Sequence, residues 1–259
     1  MFGAVDIFAP FTPLESDREW RRGIDAARGS IRLTDLLSLE MVAAFGESLN
    51  ASSFVGRLQG YVGHVDGELV VGRRCRDQMY GLTVSSAVGG AEIHGEFALF
   101  HVPEPLSYGG SRGRENLVVK AVIGGSQSID LAGGIWLVGE YHYCGFGIAD
   151  IAELPSSLAD ERFIERFERG DTQILGQHAG AVQAVFGLGS EHPANLTWIF
   201  SPKDGSGVMV SSVTWVFSDN VTLVATGYVP HGAKPDHGDL RSEYGGTPVS
   251  GLVQVSFYY

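Results

Sequence analysis

Histidine, carboxylate and serine side chains are the groups in this sequence that could perform catalysis or bind a metal. His231, Asp236, His237 and Asp239 lie close together in one segment rich in Gly and Pro. Their spacing matches no ligand motif of fixed geometry such as HExxH. We therefore predict that this segment is a solvated polar loop and that the protein has no bound metal and no cofactor.

Serine occurs in two Gly-rich stretches, GGSQS at 124–128 and DGSG at 204–207. Neither has the GxSxG pattern that exposes a nucleophilic serine on a sharp strand-to-helix turn. A lipid hydrolase built into a membrane protein would also need a histidine beside the serine and a third group to orient it. No such set can be placed in this sequence, and we expect that the protein is not an enzyme.

A third group of polar residues alternates with apolar ones, and its chemistry would be electrostatic. We predict that these side chains line a pore: Arg28, Arg32, Arg57, Arg74, Arg76, Glu92, His94, Glu96, Lys120, Glu140 and His142. The arginines come early in the chain and the glutamates later, so a basic wall would face an acidic wall. Such walls create a transverse field that selects polar or charged solutes. The sequence leaves open whether these charges instead pair with one another in a plugged interior.

Alternation of apolar and polar residues predicts the elements that would position this group. In 91–102, for example, Glu92, His94 and Glu96 oppose Ile93, Phe97 and Leu99. Strands of about 9–12 residues are long enough to cross a bilayer when tilted. The alternation predicts thirteen strands, at approximately 23–33, 37–46, 53–62, 67–76, 79–89, 91–102, 116–125, 133–144, 172–187, 194–202, 207–218, 220–229 and 248–259.

The connections between these strands alternate between short and long. The long ones, at 103–116, 145–170 and 230–246, all fall on one side of the predicted sheet. Short turns on one rim and long loops on the other are typical of outer-membrane barrels, whereas a soluble sandwich has no reason to sort its loops in this way. We therefore predict an all-β, antiparallel, up-and-down transmembrane β-barrel over residues 23–259. It would follow an extended segment at 1–22 and carry a short loop helix near 157–169 over its mouth.

Composition excludes several other classes of protein. The sequence has 36 glycines, 19% charged residues and a net charge of −12. This composition fits a β-protein with many turns, and the charge argues against a nucleic-acid partner. No apolar run approaches the length of a membrane helix. The two cysteines are too few for a disulfide scaffold.

Three stretches together resemble the C-terminal half of porin-like outer-membrane β-barrel proteins of Gram-negative bacteria. They are GIWLVGEYHYCGFG, DGSGVMVSSVTWVFSDNVTLVATGY and the terminal VQVSFYY. The resemblance implies a pore in the outer membrane, with membrane lipid and the barrel-assembly machinery as partners. It also implies that Phe257 and Tyr259, on one face of the last strand, form the assembly signal. No catalytic residue comes with it.

The opening VDIFAPFTPLESDREWRRGIDA is similar to a segment found midway through such barrels. Thirteen strands are also an odd number, and an antiparallel ring needs an even number for its first and last strands to pair. We therefore expect that the chain is truncated at its N-terminus and lacks at least one upstream strand.

We predict that the protein is a passive channel for small hydrophilic solutes. Two alternatives stay open at this stage. One is a soluble or secreted all-β binding protein, and the other is a barrel with a structural or adhesive role and no conduction. The sequence does not identify the solute, the oligomeric state, or whether the pore is open or plugged.

Overall fold

A single antiparallel sheet dominates the computed structural model of the protein, which describes residues 2–5, 24–104, 116–131, 134–187 and 192–258. Tyr259 lies outside the described residues. The strands are β1 (Asp25–Thr34), β2 (Leu37–Phe45), β3 (Ser53–Val62), β4 (Val65–Arg74), β5 (Asp77–Val88), β6 (Ala91–His101), β7 (Leu117–Ile129), β8 (Ile135–Cys144), β9 (His178–Gly187), β10 (Pro193–Phe200), β11 (Gly207–Ser218), β12 (Val221–His231) and β13 (Ser250–Phe257).

Each strand pairs with its neighbours in the chain, so the order of strands in the sheet is the order in the sequence. This confirms the predicted all-β, antiparallel, up-and-down architecture. Within the described residues, β1 pairs only with β2 and β13 only with β12, and the sheet does not close into a ring.

The turns on one rim are short for a local conformational reason. At the β5–β6 turn, Gly89 and Gly90 have φ angles of 59° and 88°. A two-residue hairpin turn that matches the twist of its strands needs positive φ at both positions, which glycine adopts without strain. The β4–β5 connection on the opposite rim is also tight, but it consists of Cys75 and Arg76 rather than the predicted Asp77 and Gln78. Cys75 takes a φ of 54°, and β5 begins at Asp77.

The two faces of the sheet differ in chemistry. One face carries large apolar side chains that stay exposed, such as Leu69 on β4, Ile123 on β7 (62% exposed) and Val253 on β13 (66% exposed). Soluble monomeric proteins rarely expose so extensive an apolar surface. We call it the outer face. The opposite face, which we call the lumen face, carries most of the charged residues and most of the buried side chains.

Helices occur only in the long β8–β9 loop among the described residues. A 3-10 helix at Ile151–Glu153 leads into α1 (Leu154–Leu158) and α2 (Glu161–Glu168). The Asp160 side chain caps α2 by accepting a hydrogen bond from the Arg162 N–H at 2.9 Å. None of these helices is long and apolar enough to cross a membrane.

The two faces predict opposite responses to a buried charge. Val253 and Gln254 are neighbours on β13, and their side chains lie on the outer face and the lumen face respectively. Arg on the lipid face of a barrel strand costs about 2–4 kcal/mol near the bilayer midplane. We therefore expect Val253→Arg to lower the yield of folded barrel in lipid, measured by heat-modifiable migration on a gel. Gln254→Arg is the matched control and should fold normally, and equal yields would show that the two faces are wrongly assigned.

Candidate functional site

The strand register places ten of the eleven predicted pore-lining residues on the lumen face: Arg28, Arg32, Arg57, Arg74, Glu92, His94, Glu96, Lys120, Glu140 and His142. The remaining residue, Arg76, lies in the β4–β5 turn at the rim and is exposed. The prediction extended β4 to residue 76, but the strand ends at Arg74. Arg76 is therefore not on the lumen face of any strand.

The basic wall on β1 to β3 is partly neutralised by its own carboxylates. The Arg28 Nε donates to Glu40 at 2.8 Å, and the Arg57 guanidinium contacts both Glu40 and Glu68. A cleft of about 320 Å³ lies over this wall, and Arg32, Glu40 and Arg57 contribute to its lining. Charges on this side thus pair across neighbouring strands while they remain in contact with an open space.

The acidic wall lies on β6 and β8, on either side of β7. Across β7, the His94 Nε2 lies 3.5 Å from the Glu140 Oε1. The two side chains meet above Gly124, where an added Cβ would lie 2.7 Å from both the Glu140 Cγ and the His94 Nε2. Glycine at 124 therefore provides the space in which His94 and Glu140 approach each other.

Residues 2–5 occupy the lumen against this acidic wall. The Phe2 N–H donates to the Glu140 Oε2 and the Ala4 N–H donates to the Glu96 Oε2, each at 2.7 Å. The Phe2 ring stacks on His142 with 4.9 Å between centroids, and both Phe2 and Ala4 are buried. Sequence reasoning missed this contact because it treated residues 1–22 as an extended segment that precedes the barrel. The sequence signal for this contact was the uncharged Phe-Gly-Ala-Val stretch at residues 2–5.

Several polar atoms beside this segment are buried without a hydrogen-bond partner. Within the described part of the chain, they are the Lys120 Nζ, both ring nitrogens of His142 and the Gln173 Nε2. Lys120 and His142 are 0% exposed, and Gln173 is also buried. Gln173 uses its Oε1 to accept from the Gly3 N–H at 3.4 Å. The lumen around residues 2–5 therefore contains carboxylates that already accept hydrogen bonds and, beside them, buried polar atoms without a partner.

A buried ionic cluster, which we call the rim latch, fixes the β8–β9 loop to the β4–β5 hairpin. It consists of Asp77, Arg74, Arg166, Arg169 and Asp171. The two Nη atoms of Arg166 contact the two carboxylate oxygens of Asp77 at 2.8 and 3.1 Å. The Arg169 Nη2 also contacts Asp77 at 3.0 Å. α2 is therefore held at the barrel mouth by charge as well as by packing.

Asp171 is the second carboxylate of the rim latch and is 1% exposed. The Arg74 Nη1 lies 2.7 Å from its Oδ1, as an ion pair without the alignment of a hydrogen bond, and the Arg169 Nε donates to its Oδ2 at 3.0 Å. Burial opposes the ionisation of Asp171, but the guanidinium groups of Arg74 and Arg169 outweigh it and lower the pKa to about 2. The carboxylate is therefore charged at neutral pH.

A second contact joins this loop to the β12–β13 loop. The Gly176 N–H donates to the Glu243 Oε1 at 3.0 Å, and the Glu243 N–H donates to the Asp204 Oδ2 at 2.7 Å. Burial raises the pKa of Glu243, and the nearby Asp204 carboxylate raises it further. The loops around the mouth are thus connected, with a small cleft of about 110 Å³ between them.

The sequence-predicted polar loop at 231–239 is solvent-exposed. The Asp236 carboxylate contacts the His237 Nδ1 at 2.8 Å and the Arg241 Nη1 at 3.4 Å, on the surface. No group of His, Cys, Asp and Glu side chains suited to a metal ion occurs in the parts of the chain that the structure describes.

Two solved structures are similar to this fold. Pseudomonas aeruginosa OccK10 (OpdN) is 9% identical, with 91% of this chain and 72% of that chain covered and a TM-score of 0.53. OmpT, an outer membrane protein of Vibrio cholerae folded in vitro, is 8% identical, with 91% and 90% covered and a TM-score of 0.40. No protein-family model and no curated protein matches the sequence. The similarity to OccK10, together with the exposed apolar outer face, shows the fold of a Gram-negative outer-membrane β-barrel protein.

The rim latch predicts a large effect of removing one carboxylate charge. Breaking a buried ion pair by removing one partner costs about 3–5 kcal/mol, because it leaves an uncompensated charge. Asp171→Asn should therefore release α2 from the mouth, measured as faster hydrogen exchange of the α2 amides at pH 7. Glu165→Gln removes one charge from an exposed position of the same helix and should leave exchange unchanged. Equal exchange in the two variants would mean that the rim latch does not hold the loop.

The lowered pKa of Asp171 predicts loss of the latch in acid. A carboxyl group with a folded-state pKa of about 2 stabilises the docked loop fully above its unfolded pKa of about 3.9, and this contribution disappears as the pH falls through the folded value. Pepsin cleavage in the β8–β9 loop should therefore accelerate between about pH 4 and pH 2, after correction for the pH profile of pepsin itself. The Asp171→Asn variant should lack this acceleration, and a flat profile in the unmodified protein would contradict the assignment.

Proposed function

We propose that the protein is a passive channel for small hydrophilic solutes in the outer membrane of a Gram-negative bacterium. The observation that carries the proposal is a polar lumen face with an arginine-rich wall on β1 to β3 and a glutamate-bearing wall on β6 and β8. Charged walls on opposite sides of a pore favour polar solutes over apolar ones. The cleft over Arg32, Glu40 and Arg57 would be part of the solute path.

Two features would limit the width of the channel. Residues 2–5 lie inside it against Glu96 and Glu140, and the rim latch holds α2 at the mouth. Both are held by charge-assisted contacts, which can be exchanged for contacts with solute or water. We therefore propose a narrow channel whose conductance depends on these two contacts.

A barrel that does not conduct is the second candidate, and the same occupied lumen favours it. A soluble binding protein would have to keep the apolar side chains of the outer face in water, which argues against that alternative. We propose no catalytic role. The proposed partners are membrane lipid at the outer face, a small hydrophilic solute in the lumen, and the barrel-assembly machinery at the last strand. In that strand Phe257 lies exposed on the outer face.

Conductance of the purified protein in a planar lipid bilayer tests the proposal. We expect discrete current steps that rise linearly with voltage. Arg57→Gln removes one positive charge from the lumen wall and should shift the reversal potential in a KCl gradient towards the value for K⁺. Arg76→Gln removes the same charge from the exposed rim turn and should shift it much less. Correctly inserted protein without current steps would favour the barrel that does not conduct.

A further inference from the structure

The acidic wall already holds a short stretch of the chain, residues 2–5, through its backbone N–H groups. Those of Phe2 and Ala4 donate to two different carboxylates, Glu140 and Glu96, each at 2.7 Å, and the Val5 N–H donates to the same Glu96 oxygen at 3.3 Å. The N–H of the intervening Gly3 donates to the Gln173 Oε1 at 3.4 Å. The wall is therefore matched to a backbone rather than to one particular side chain.

The fit also involves apolar contacts and space made by small residues. The Phe2 ring stacks on His142, Ala4 is 0% exposed, and the Val5 Cγ1 lies 3.2 Å from the position of a Cβ added at Gly81 of β5. Gly81 of β5 leaves room for Val5, and Gly124 of β7 leaves the space that Glu140 and His94 fill. Strands β5 to β8 thus contribute to one groove, which we call the peptide groove.

Residues 2–5 provide hydrogen-bond partners for only some of the polar groups in the groove. The Lys120 Nζ, the His142 ring nitrogens and the Gln173 Nε2 have no hydrogen-bond partner within the described residues, although all three side chains are buried. Buried polar atoms in native proteins are almost always hydrogen-bonded. Lys120 lies on β7 one lumen-face position from Val122, the register partner of His142. An additional acceptor in the groove, such as a carbonyl or a terminal carboxylate, would accept from the Lys120 Nζ and the Gln173 Nε2.

We propose that the peptide groove is a binding site for short peptides that enter the barrel, and that residues 2–5 occupy it as an internal competitor. Glu96 and Glu140 would accept backbone N–H groups of the ligand. Lys120 and Gln173 would donate to its carbonyl or carboxylate oxygens. The inference deepens the proposed channel function, on which it rests for access of the peptide to the lumen.

Displacement of residues 2–5 provides the first test. Ala4→Pro removes the shorter of the two N–H contacts to Glu96, whereas the matched Ala4→Gly variant keeps both. The probe is the acetylated tetrapeptide Phe-Gly-Ala-Val with a free carboxylate, and binding to the full chain in detergent is measured by calorimetry. An internal competitor acts at an effective concentration of about millimolar. We expect Ala4→Pro to bind the probe at least about tenfold more tightly than Ala4→Gly.

Removal of the carboxylate charges provides the second test. In the Ala4→Pro chain, Glu96→Gln and Glu140→Gln should each weaken binding by about tenfold, since each removes a charge-assisted hydrogen bond. Glu165→Gln, at an exposed position of α2, should leave binding unchanged. A probe methylated on the nitrogens of its Phe and Ala residues should bind much more weakly. Equal binding of the two probes, or equal binding by the Glu96→Gln, Glu140→Gln and Glu165→Gln variants, would overturn the proposal.

If Ala4→Pro fails to fold, the proposal is tested on the unmodified chain. Saturating probe should speed hydrogen exchange of the Phe2 and Ala4 amides, because the ligand would replace them on Glu140 and Glu96. Unchanged exchange at saturation would overturn the peptide site. KCl conductance, measured on the same protein, separates the two proposals. Conduction without peptide binding would overturn the site alone, and peptide binding without conduction would overturn the channel alone.

Discussion

Hydrogen bonding between neighbouring strands is the interaction on which the rest of this structure depends. A backbone group without a partner in the hydrocarbon core of a bilayer costs several kcal/mol, so strands can cross it only when their neighbours satisfy them. Twelve successive antiparallel pairings supply this condition on both sides of β2 to β12 and on one side of β1 and β13 among the described residues. The same pairing fixes the register, and the register decides which side chains meet lipid. A slip of one residue would turn the Arg57 face outward and the Leu58 face inward.

This constraint gives the lumen its chemistry. Since the outer face must be apolar, charged residues concentrate on the other face, where they are close enough to pair across strands. Arg57 contacts Glu40 and Glu68 on the strands to either side. The glutamates of the opposite wall lie near His94 and the backbone of residues 2–5. Charged side chains of the lumen therefore pair with one another or with the backbone of residues 2–5, which fold into it. The rim latch pairs opposite charges in the same way at the mouth.

The strands could be predicted closely because a two-residue period is a local property of the sequence. β3 was predicted at 53–62 and lies there, and β2 and β11 differ from the prediction by no more than one residue. The predicted β9 began too early because 172–177 belongs to the β8–β9 loop, where Thr172 and Gln173 are buried. Its alternation was that of a packed loop rather than a strand.

The site was predictable only where it follows from alternation. The lumen position of Glu96 and Glu140 follows from their strands, but their contact with residues 2–5 joins positions more than ninety apart in the chain. The rim latch is equally non-local, since Asp77 opens β5 and its partners Arg166 and Arg169 lie in α2 and just after it. One local indication of the rim latch was visible in the sequence: Arg166 and Arg169 are three residues apart, and Asp171 follows two residues after Arg169. Nothing local indicated that Asp77 would be their partner.

Spin labels placed one at a time along β12, in a chain with Cys75 and Cys144 replaced by Ala, test the central claim most directly. Power saturation in lipid compares collisions with oxygen, which concentrates in the bilayer, and with a water-soluble nickel complex. The two-faced sheet predicts oxygen maxima at Leu223, Ala225 and Gly227, and minima at Val224, Thr226 and Tyr228. The nickel complex should show no maximum at the first set. Uniform access of the nickel complex to both sets would contradict a strand with one face in lipid.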